Sequence, residues 1–380
     1  MDFDLGREEE DFRKRVRDFA EREIAPLVEE AEEKEVFPVH LFPRMGKEGL
    51  LCVRCPQQYG GPGLSKVCEC LYMVELNRVC PGIAAALMVH GGLATDPILN
   101  SGTEEQKQRY LAPAAKGEMI GSFALTEPDA GSDAASIRTT AQKRGNQYVI
   151  NGTKTFISNG TICHFVTLSA YTDPAKRGSG INLFIVERGD TGFSVVSKLM
   201  KMGNRSTETA ELAFDDCLVS RRRMIGEKEG GGLEQLTETL KSGRITYAAR
   251  STGVAQAVFE TLLDYVRETQ RGGRPLSRYQ AIRFKVADIA MLLDAMRHMT
   301  YRAAWLFDQG RATMKDASIA KLFTTESVQR VTSTAMRVQG DYGYVAKNPL
   351  QKYLRDARLF KVTEGTSEIQ HLIIARGLEL

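Results

Sequence analysis

The sequence predicts an α+β fold, mainly α: a helical unit, then a mostly antiparallel β unit, then a second unit of longer helices. Three observations predict it. Apolar residues recur at i, i+3, i+4 spacing from the first turns of the chain. Near residue 121 the texture changes to Val, Ile, Thr, Phe and Tyr, punctuated by Asn-Gly pairs. From about residue 233 helical spacing returns in long stretches. The expected domains are 1–120, 121–232 and 233–380. A chain of 380 residues, 42% of them hydrophobic, is large enough for two or three folding units.

In the first unit, Phe12, Val16, Phe19, Ala20, Ile24, Leu27 and Val28 make one apolar stripe. "YGGPG" at 59–63 reads as a turn before the next helix. "SGTEEQKQRYL" starts another helix, capped by Ser101 or Thr103, with acids in its first turn. In the second unit, Asn151-Gly152 is a hairpin signal, and Asn159-Gly160 repeats it. "INLFIVER", "GFSVVSKL" and "ETAELAFDDCLV" continue as short strands. In the third unit three long stretches, beginning "LEQLTETLKSGRITYAAR", "RYQAIRFKVADIAMLL" and "DASIAKLFTTESVQRV", carry helical periodicity. The loops between them are short, which favours antiparallel neighbours in a bundle.

Net charge is only +3, from 51 basic and 48 acidic residues, and no basic block stands out. A nucleic-acid partner is therefore not expected. The acidic start "MDFDLGREEEDF" has no apolar core of a signal peptide. The apolar stretch "GIAAALMVHGGLA" reads as too short to span a bilayer. A soluble, cytoplasmic protein is expected. Five of the seven cysteines crowd into 52–80. "CVRC" fits a metal knuckle or redox motif, but "CEC" has the wrong spacing for a zinc ribbon. Cys68 and Cys70 also lie on a helical pattern, where alternate positions do not face each other. Reduced, structural thiols are the expectation.

No GxGxxG follows a strand, and there is no GxxxxGK[ST], so the usual nicotinamide or ATP site has no support. The five histidines give no ligand pair, and no metal site is expected. "EKEGGGLEQL" reads as a flexible lead-in to a helix or as a phosphate wrap. "FALTEPDAGSDAASIRTTA" fits either a loop of turn residues or a nest for an anion or a cofactor's polar edge. "KVTEGTSEIQHLIIAR" sets Glu364 against Gly365. As a bare pattern, Thr363 with Ser367 or Thr366 with Glu368 simply begins the last helix.

The combination is more specific than its parts. "FALTEPDAGSD", "KTFISNG", "KMGNRSTETAELAFDD" and "RDARLFKVTEGTSEIQHLIIAR", in this order and at these intervals, resemble the acyl-CoA dehydrogenase family over essentially the whole chain. The resemblance implies a C-terminal four-helix bundle, FAD between the β domain and the bundle, and a homotetramer. It implies an acyl-CoA substrate, a 2-enoyl-CoA product and an electron-transfer flavoprotein as partner. Glu364 would be the base that removes the α proton. The thioester oxygen would accept from the flavin ribityl hydroxyl and from the backbone N–H of Glu364, with Gly365 leaving that approach clear. Some relatives carry the base just before an arginine of the bundle; here that residue is Gly243, so the duty falls on Glu364. Arg244 would approach the substrate. Phe123, Leu125, Thr126 and Ser132 would line one side of the flavin, and Phe156 and Ser158 would cover the other. Gln280 would reach FAD from a neighbouring subunit, and Thr366 and Glu368 would lie near its phosphates and adenosine. Ser132 would also approach the CoA moiety.

Two family motifs are altered. Thr269 and Gly272 replace the arginine and phenylalanine of Arg-x-x-Phe-Gly. In "RVQGDYGY", which spans Gly340, Arg337 and Asp341 replace the glutamine and second glycine of Gln-x-x-Gly-Gly-x-Gly. Arg271 or Arg337 is expected to neutralise Asp341. Thr363 stands where many relatives have tyrosine, which predicts room for a branched or cyclic acyl group. No arginine occurs in 82–100, so a dicarboxylic substrate is less expected. Asp96 reads as a helix-end or surface residue rather than a pocket acid. Two alternatives share the fold: an enoyl-CoA reductase, and a catalytically lapsed acyl-CoA- and FAD-binding subunit.

Overall fold

The computed structural model describes residues 5–380; the opening of the acidic N-terminal stretch, residues 1–4, lies outside the described residues. The N-terminal helices are α1 (Arg7–Phe19), α2 (Val28–Lys34), α3 (Leu41–Lys47), α4 (Lys66–Val79), α5 (Pro81–Met88), α6 (Asp96–Ser101), α7 (Glu104–Gln106) and α8 (Ala112–Ala115). The predicted stripe buries Phe12, Val16, Phe19, Ala20 and Ile24, with Leu27 and Val28 half-buried. Thr103, not Ser101, caps α7: its hydroxyl accepts from Gln106 N at 3.3 Å, and Gln106 Oε1 accepts from Thr103 N at 3.0 Å. One expectation needs correction. The helical run Pro81–Ser101 has 21 residues and is long and apolar enough to cross a membrane, but 89% of its apolar window is buried inside the protein. It is a core element here. All seven cysteines are free and buried.

The sheet contains β1 (Gly121–Ala124), β2 (Thr140–Arg144), β3 (Gln147–Ser158), β4 (Phe165–Tyr171), β5 (Ile181–Glu187), β6 (Phe193–Lys198) and β7 (Thr209–Ser220). Its order is β1-β4-β2-β3-β7-β6, with β5 on β4. Most pairings are antiparallel; β1 and β2 meet β4 in parallel. The hairpin turn lies at Gly145-Asn146, because Arg144 pairs with Gln147. Asn151-Gly152 is instead a bulge inside β3, where a Cβ on Gly152 would stand 2.3 Å from Thr139 Oγ1. Asn159-Gly160 does turn the chain, but out of the ladder rather than into a hairpin. Asn159 Nδ2 donates to the Ala86 and Gly121 carbonyls at 2.9 and 3.1 Å.

The C-terminal part consists of α9 (Gly232–Glu268), the small ribbon β8 (Gln270–Arg271) and β9 (Arg274–Pro275), α10 (Gln280–Asp308), α11 (Met314–Gln339), α12 (Pro349–Arg358) and α13 (Ser367–Arg376). Three long helices thus pack together with two ten-residue ones, with α11 in contact with the other four. Helix α9 also packs on α4 so closely that a Cβ on Gly253 would lie 2.4 Å from the Val74 carbonyl oxygen. Arg250, fully buried on α9, joins all three parts. Nε donates to Asn77 Oδ1 (3.2 Å), and Nη2 donates to the Pro81 carbonyl (2.9 Å) and to Asn204 Oδ1 (3.2 Å).

Candidate active site

The helix-start reading of the C-terminal motif holds. Thr366 caps α13, accepting from Ile369 N at 3.4 Å. Glu364 lies before that helix, in a turn where Glu364 (φ +56°) and Gly365 (φ +87°) are both left-handed. That conformation is strained at Glu364 and must be held from outside. Arg244 Nε (3.4 Å) and Gln370 Nε2 (3.1 Å) donate to the Glu364 carbonyl. Gln370 Nε2 (2.8 Å) and Lys321 Nζ (2.7 Å) donate to that of Gly365. Glycine is required at 365 for a local reason as well: a Cβ there would come 2.8 Å from Gln370 Nε2.

The turn delivers the carboxylate to α9. A Cβ on Gly243 would lie 2.7 Å from Glu364 Oε2 and 3.2 Å from Leu93 Cδ2. The two positions at which relatives were expected to carry the base therefore meet in space, and only one of them is an acid here. Glu364 is partly accessible as a residue, yet its Oε2 is enclosed and has no hydrogen-bond partner. Leaving a buried acceptor unpaired costs about 1–3 kcal/mol, more when it is charged. Structural carboxylates are not normally left so. Burial raises the Glu364 pKa above its ordinary value, while Arg244, Lys321, Arg250 and Lys66 pull it down. The backbone N–H of Glu364 donates to no group among the described residues.

Arg244 is buried, not a surface residue, and its Nη1 lies 3.1 Å from Met314 Sδ. Beside it, the Thr363 hydroxyl is engaged. Tyr247, buried on α9, accepts from Thr363 Oγ1 at 2.6 Å and packs edge-on against Phe360. The Arg250 guanidinium covers both rings, at 4.7 and 4.8 Å. Sequence reasoning missed Tyr247, Lys321 and Gln370. Their only signal was polar residues on otherwise apolar helical patterns.

On the sheet side, the predicted flavin-lining residues come together in two groups. Thr155 N donates to the Thr126 carbonyl (3.0 Å), and Ser122 Oγ donates to that of Ser158 (2.7 Å), so the strand ends carrying Phe123, Leu125, Thr126, Phe156 and Ser158 adjoin. Phe156 is held at φ +58° with 69% of its surface exposed. An exposed aromatic in a strained backbone suits a flat ring as its cover. The segment Val89–Leu93 touches both β1 and α9, linking this wall to Glu364. In the same loop Glu127 is anchored by Lys154 Nζ at 2.8 Å and by Thr139 Oγ1 at 2.6 Å. Ser132 is exposed beyond it.

The remaining candidates lie elsewhere. Arg271 and Gln280 follow the end of α9, and Arg337 and Gly340 end α11. From Gly243 to Thr269, α9 runs about 39 Å at its helical rise. Arg271, Arg337 and Asp341 are exposed, and Asp341 enters no ion pair among the described residues. The expected neutralisation within one chain is not observed, because nothing buries these groups against one another. Thr366 and Glu368 sit at the start of α13, Glu368 exposed. Asp96 begins α6 as expected but is buried rather than at the surface. It pairs with Arg54 and accepts from Ser242 Oγ at 3.0 Å. Arg54 and Lys66 are in turn neutralised by Glu69, at 2.6 and 2.9 Å. No group of side chains suited to a metal occurs among the described residues.

Helices thus flank the sheet, and an enclosed carboxylate lies between α9 and the turn before α13. Sequence models of the acyl-CoA dehydrogenase N-terminal, middle and C-terminal domains match residues 6–118, 122–217 and 230–379. The chain belongs to the acyl-CoA dehydrogenase family of FAD-binding oxidoreductases. It is 42% identical to an acyl-CoA dehydrogenase of Bacillus subtilis (strain 168), over 96% of each chain. It is 40% identical to the short-chain-specific acyl-CoA dehydrogenase of Clostridium acetobutylicum, over 99% of each. Acryloyl-CoA reductase (NADH) of Anaerotignum propionicum is 39% identical, over 99% of this chain and 95% of that protein. Among solved structures, butyryl-CoA dehydrogenase from Megasphaera elsdenii superposes with a TM-score of 0.97 at 35% identity, covering 100% of both chains. A chain from work on the electron transferring flavoprotein of Acidaminococcus fermentans also gives 0.97, at 37% identity, covering 100% of this chain and 99% of that one.

Proposed function

We propose that the protein oxidises a short acyl-CoA thioester to the 2-enoyl-CoA, with Glu364 removing the α proton. The observation that carries this reading is the enclosed, unpartnered Oε2 of Glu364 against the gap at Gly243. A solvated carboxylate is too weak a base for such a proton; a desolvated one is stronger. Arg244 and Lys321 oppose the rise that burial causes. The unpaired N–H of Glu364 is available to the thioester oxygen, where enolate charge develops. FAD, when bound, accepts the β hydrogen as hydride. Phe123, Leu125, Thr126, Phe156 and Ser158 would hold its ring, with Ser132 toward the CoA moiety. Tyr247 closing the space beside Thr363 favours a short, unbranched acyl group, as do the relatives named for short-chain and butyryl substrates.

Arg271, Gln280, Arg337 and Gly340 stand too far along α9 and α11 to serve the flavin beside their own Glu364. We infer that they serve FAD in a neighbouring copy of a homotetramer. Electron-transfer flavoprotein is the proposed acceptor, and seven unpaired interior thiols fit a cytoplasmic setting. The second reading, an enoyl-CoA reductase of the same fold, is favoured by the likeness to acryloyl-CoA reductase. Base and hydride carrier are common to both directions, and the redox partner decides between them. The test is anaerobic flavin bleaching with straight, branched and alicyclic acyl-CoAs. Butyryl-CoA is expected to bleach best, and Glu364→Gln to reduce bleaching at least ~1,000-fold while still binding the thioester. Undiminished bleaching by that variant would remove Glu364 from the chemistry.

A further inference from the structure

We propose that Lys321 is the positioning residue of the Glu364 carboxylate: its buried ammonium grips the Gly365 carbonyl and so fixes the left-handed turn that aims the base. The proposal rests on the dehydrogenase reading above. Lys321 lies on α11 with no exposed surface. Its Nζ stands 2.7 Å from the Gly365 carbonyl oxygen. No carboxylate lies within ion-pair distance of it among the described residues. Ala317, one turn earlier on the same face of α11, is apolar and fully buried, so an apolar residue would suit this face. Burying an ammonium on a single carbonyl is unfavourable unless something else needs the charge there.

Glu364 supplies that need. Two consecutive left-handed residues present their carbonyls to three side chains: Arg244, Gln370 and Lys321. The cations acting on the carboxylate are Arg244 and Arg250 from α9, Lys66 from α4 and Lys321 from α11. The charged groups acting on Lys321 are, in turn, Glu364, Arg244, Glu326 and Glu368. Lys66 is paired with Glu69, and Arg250 is committed to Asn77, Pro81 and Asn204. Of these cations, Arg244 and Lys321 bond the turn itself. Burial lowers the Lys321 pKa to about 8, opposed chiefly by Glu364. Its charge is thus present through neutral pH, where the base must be ionised.

Lys321→Met and Lys321→Arg are compared with the unsubstituted holoenzyme by anaerobic bleaching with butyryl-CoA across pH. Loss of a nearby positive charge raises a carboxylate's pKa. Lys321→Met should therefore move the acid limb up by about one pH unit, and Lys321→Arg should restore it. A Lys321→Met profile that is scaled down with its midpoint unmoved overturns the proposal. If Lys321→Met does not bleach at all, a double-mutant cycle with Glu364→Gln, read by urea denaturation, decides. Coupling above about threefold in the unfolding constant supports the contact, and additive effects overturn it. If the unsubstituted protein bleaches with no acyl-CoA, the dehydrogenase reading fails, and the same cycle still judges Lys321 against Glu364.

Discussion

At the scale of single residues, burial decides which proton sits where, and His90 gives a clean case. It is fully buried; Gly121 N donates to Nδ1 at 3.1 Å, and Nε2 lies 3.0 Å from the Ala114 carbonyl oxygen. The ring is therefore neutral, and burial lowers its pKa from 6.5 to about 4. Below the unfolded value the unfolded chain takes up a proton that the folded chain refuses. Stability is thus complete above that value and is lost as pH falls toward 4. Between pH 7 and 5 the loss from this group is about 2 kcal/mol. Urea denaturation at fixed FAD and protein concentration should show it, and His90→Gln should flatten it. Glu364 was legible in the sequence because a long motif surrounds it. Lys321 and Tyr247 were not, because periodicity marks a face as inward without telling which polar residue on it meets another helix.

At the scale of elements, close approach of backbones does the specifying. At Gly253 of α9 an added methyl would collide with the Val74 carbonyl on α4, which is backbone and cannot swing aside. Gly253→Ala should therefore destabilise the protein by about 1–3 kcal/mol, seen as a lowered Tm. At Gly243 the obstacle is the Glu364 side chain, which can move. Gly243→Ala should fold normally but displace the base, lowering the bleaching rate about 100-fold, since small misplacements of a catalytic group carry losses of that order. Opposite outcomes, with Gly243→Ala unfolding and Gly253→Ala silent, would reverse these assignments. Helices such as α1 were read well from periodicity, because one apolar stripe marks the buried face. The β turns were read less well. "RGNQ" carries Gly-Asn and "INGT" Asn-Gly; pairing of β3 with β2 makes the first the corner, and pairing with β7 makes the second a bulge.

At the scale of the whole molecule, the order of helices, strands and helices was plain in the composition, but what locks the three parts together was not. Arg250 does so by bonding Asn77, Pro81 and Asn204, and Asn204 N in turn donates to Asp356 Oδ1 at 2.5 Å. Local patterns cannot reveal a contact assembled from four distant segments. Arg250→Met leaves those acceptors unpaired and should destabilise by about 2–4 kcal/mol. Calorimetry should then resolve separate transitions for parts that melt together in the unsubstituted protein. The interior sulfurs offer an independent clock for the same event. Five lie among the N-terminal helices, one in β7, one in the loop between β3 and β4, and none in the bundle. A thiol-reactive dye would stay inert until a region breathes open, and peptide mapping of labelled sites would then tell which layer came loose first.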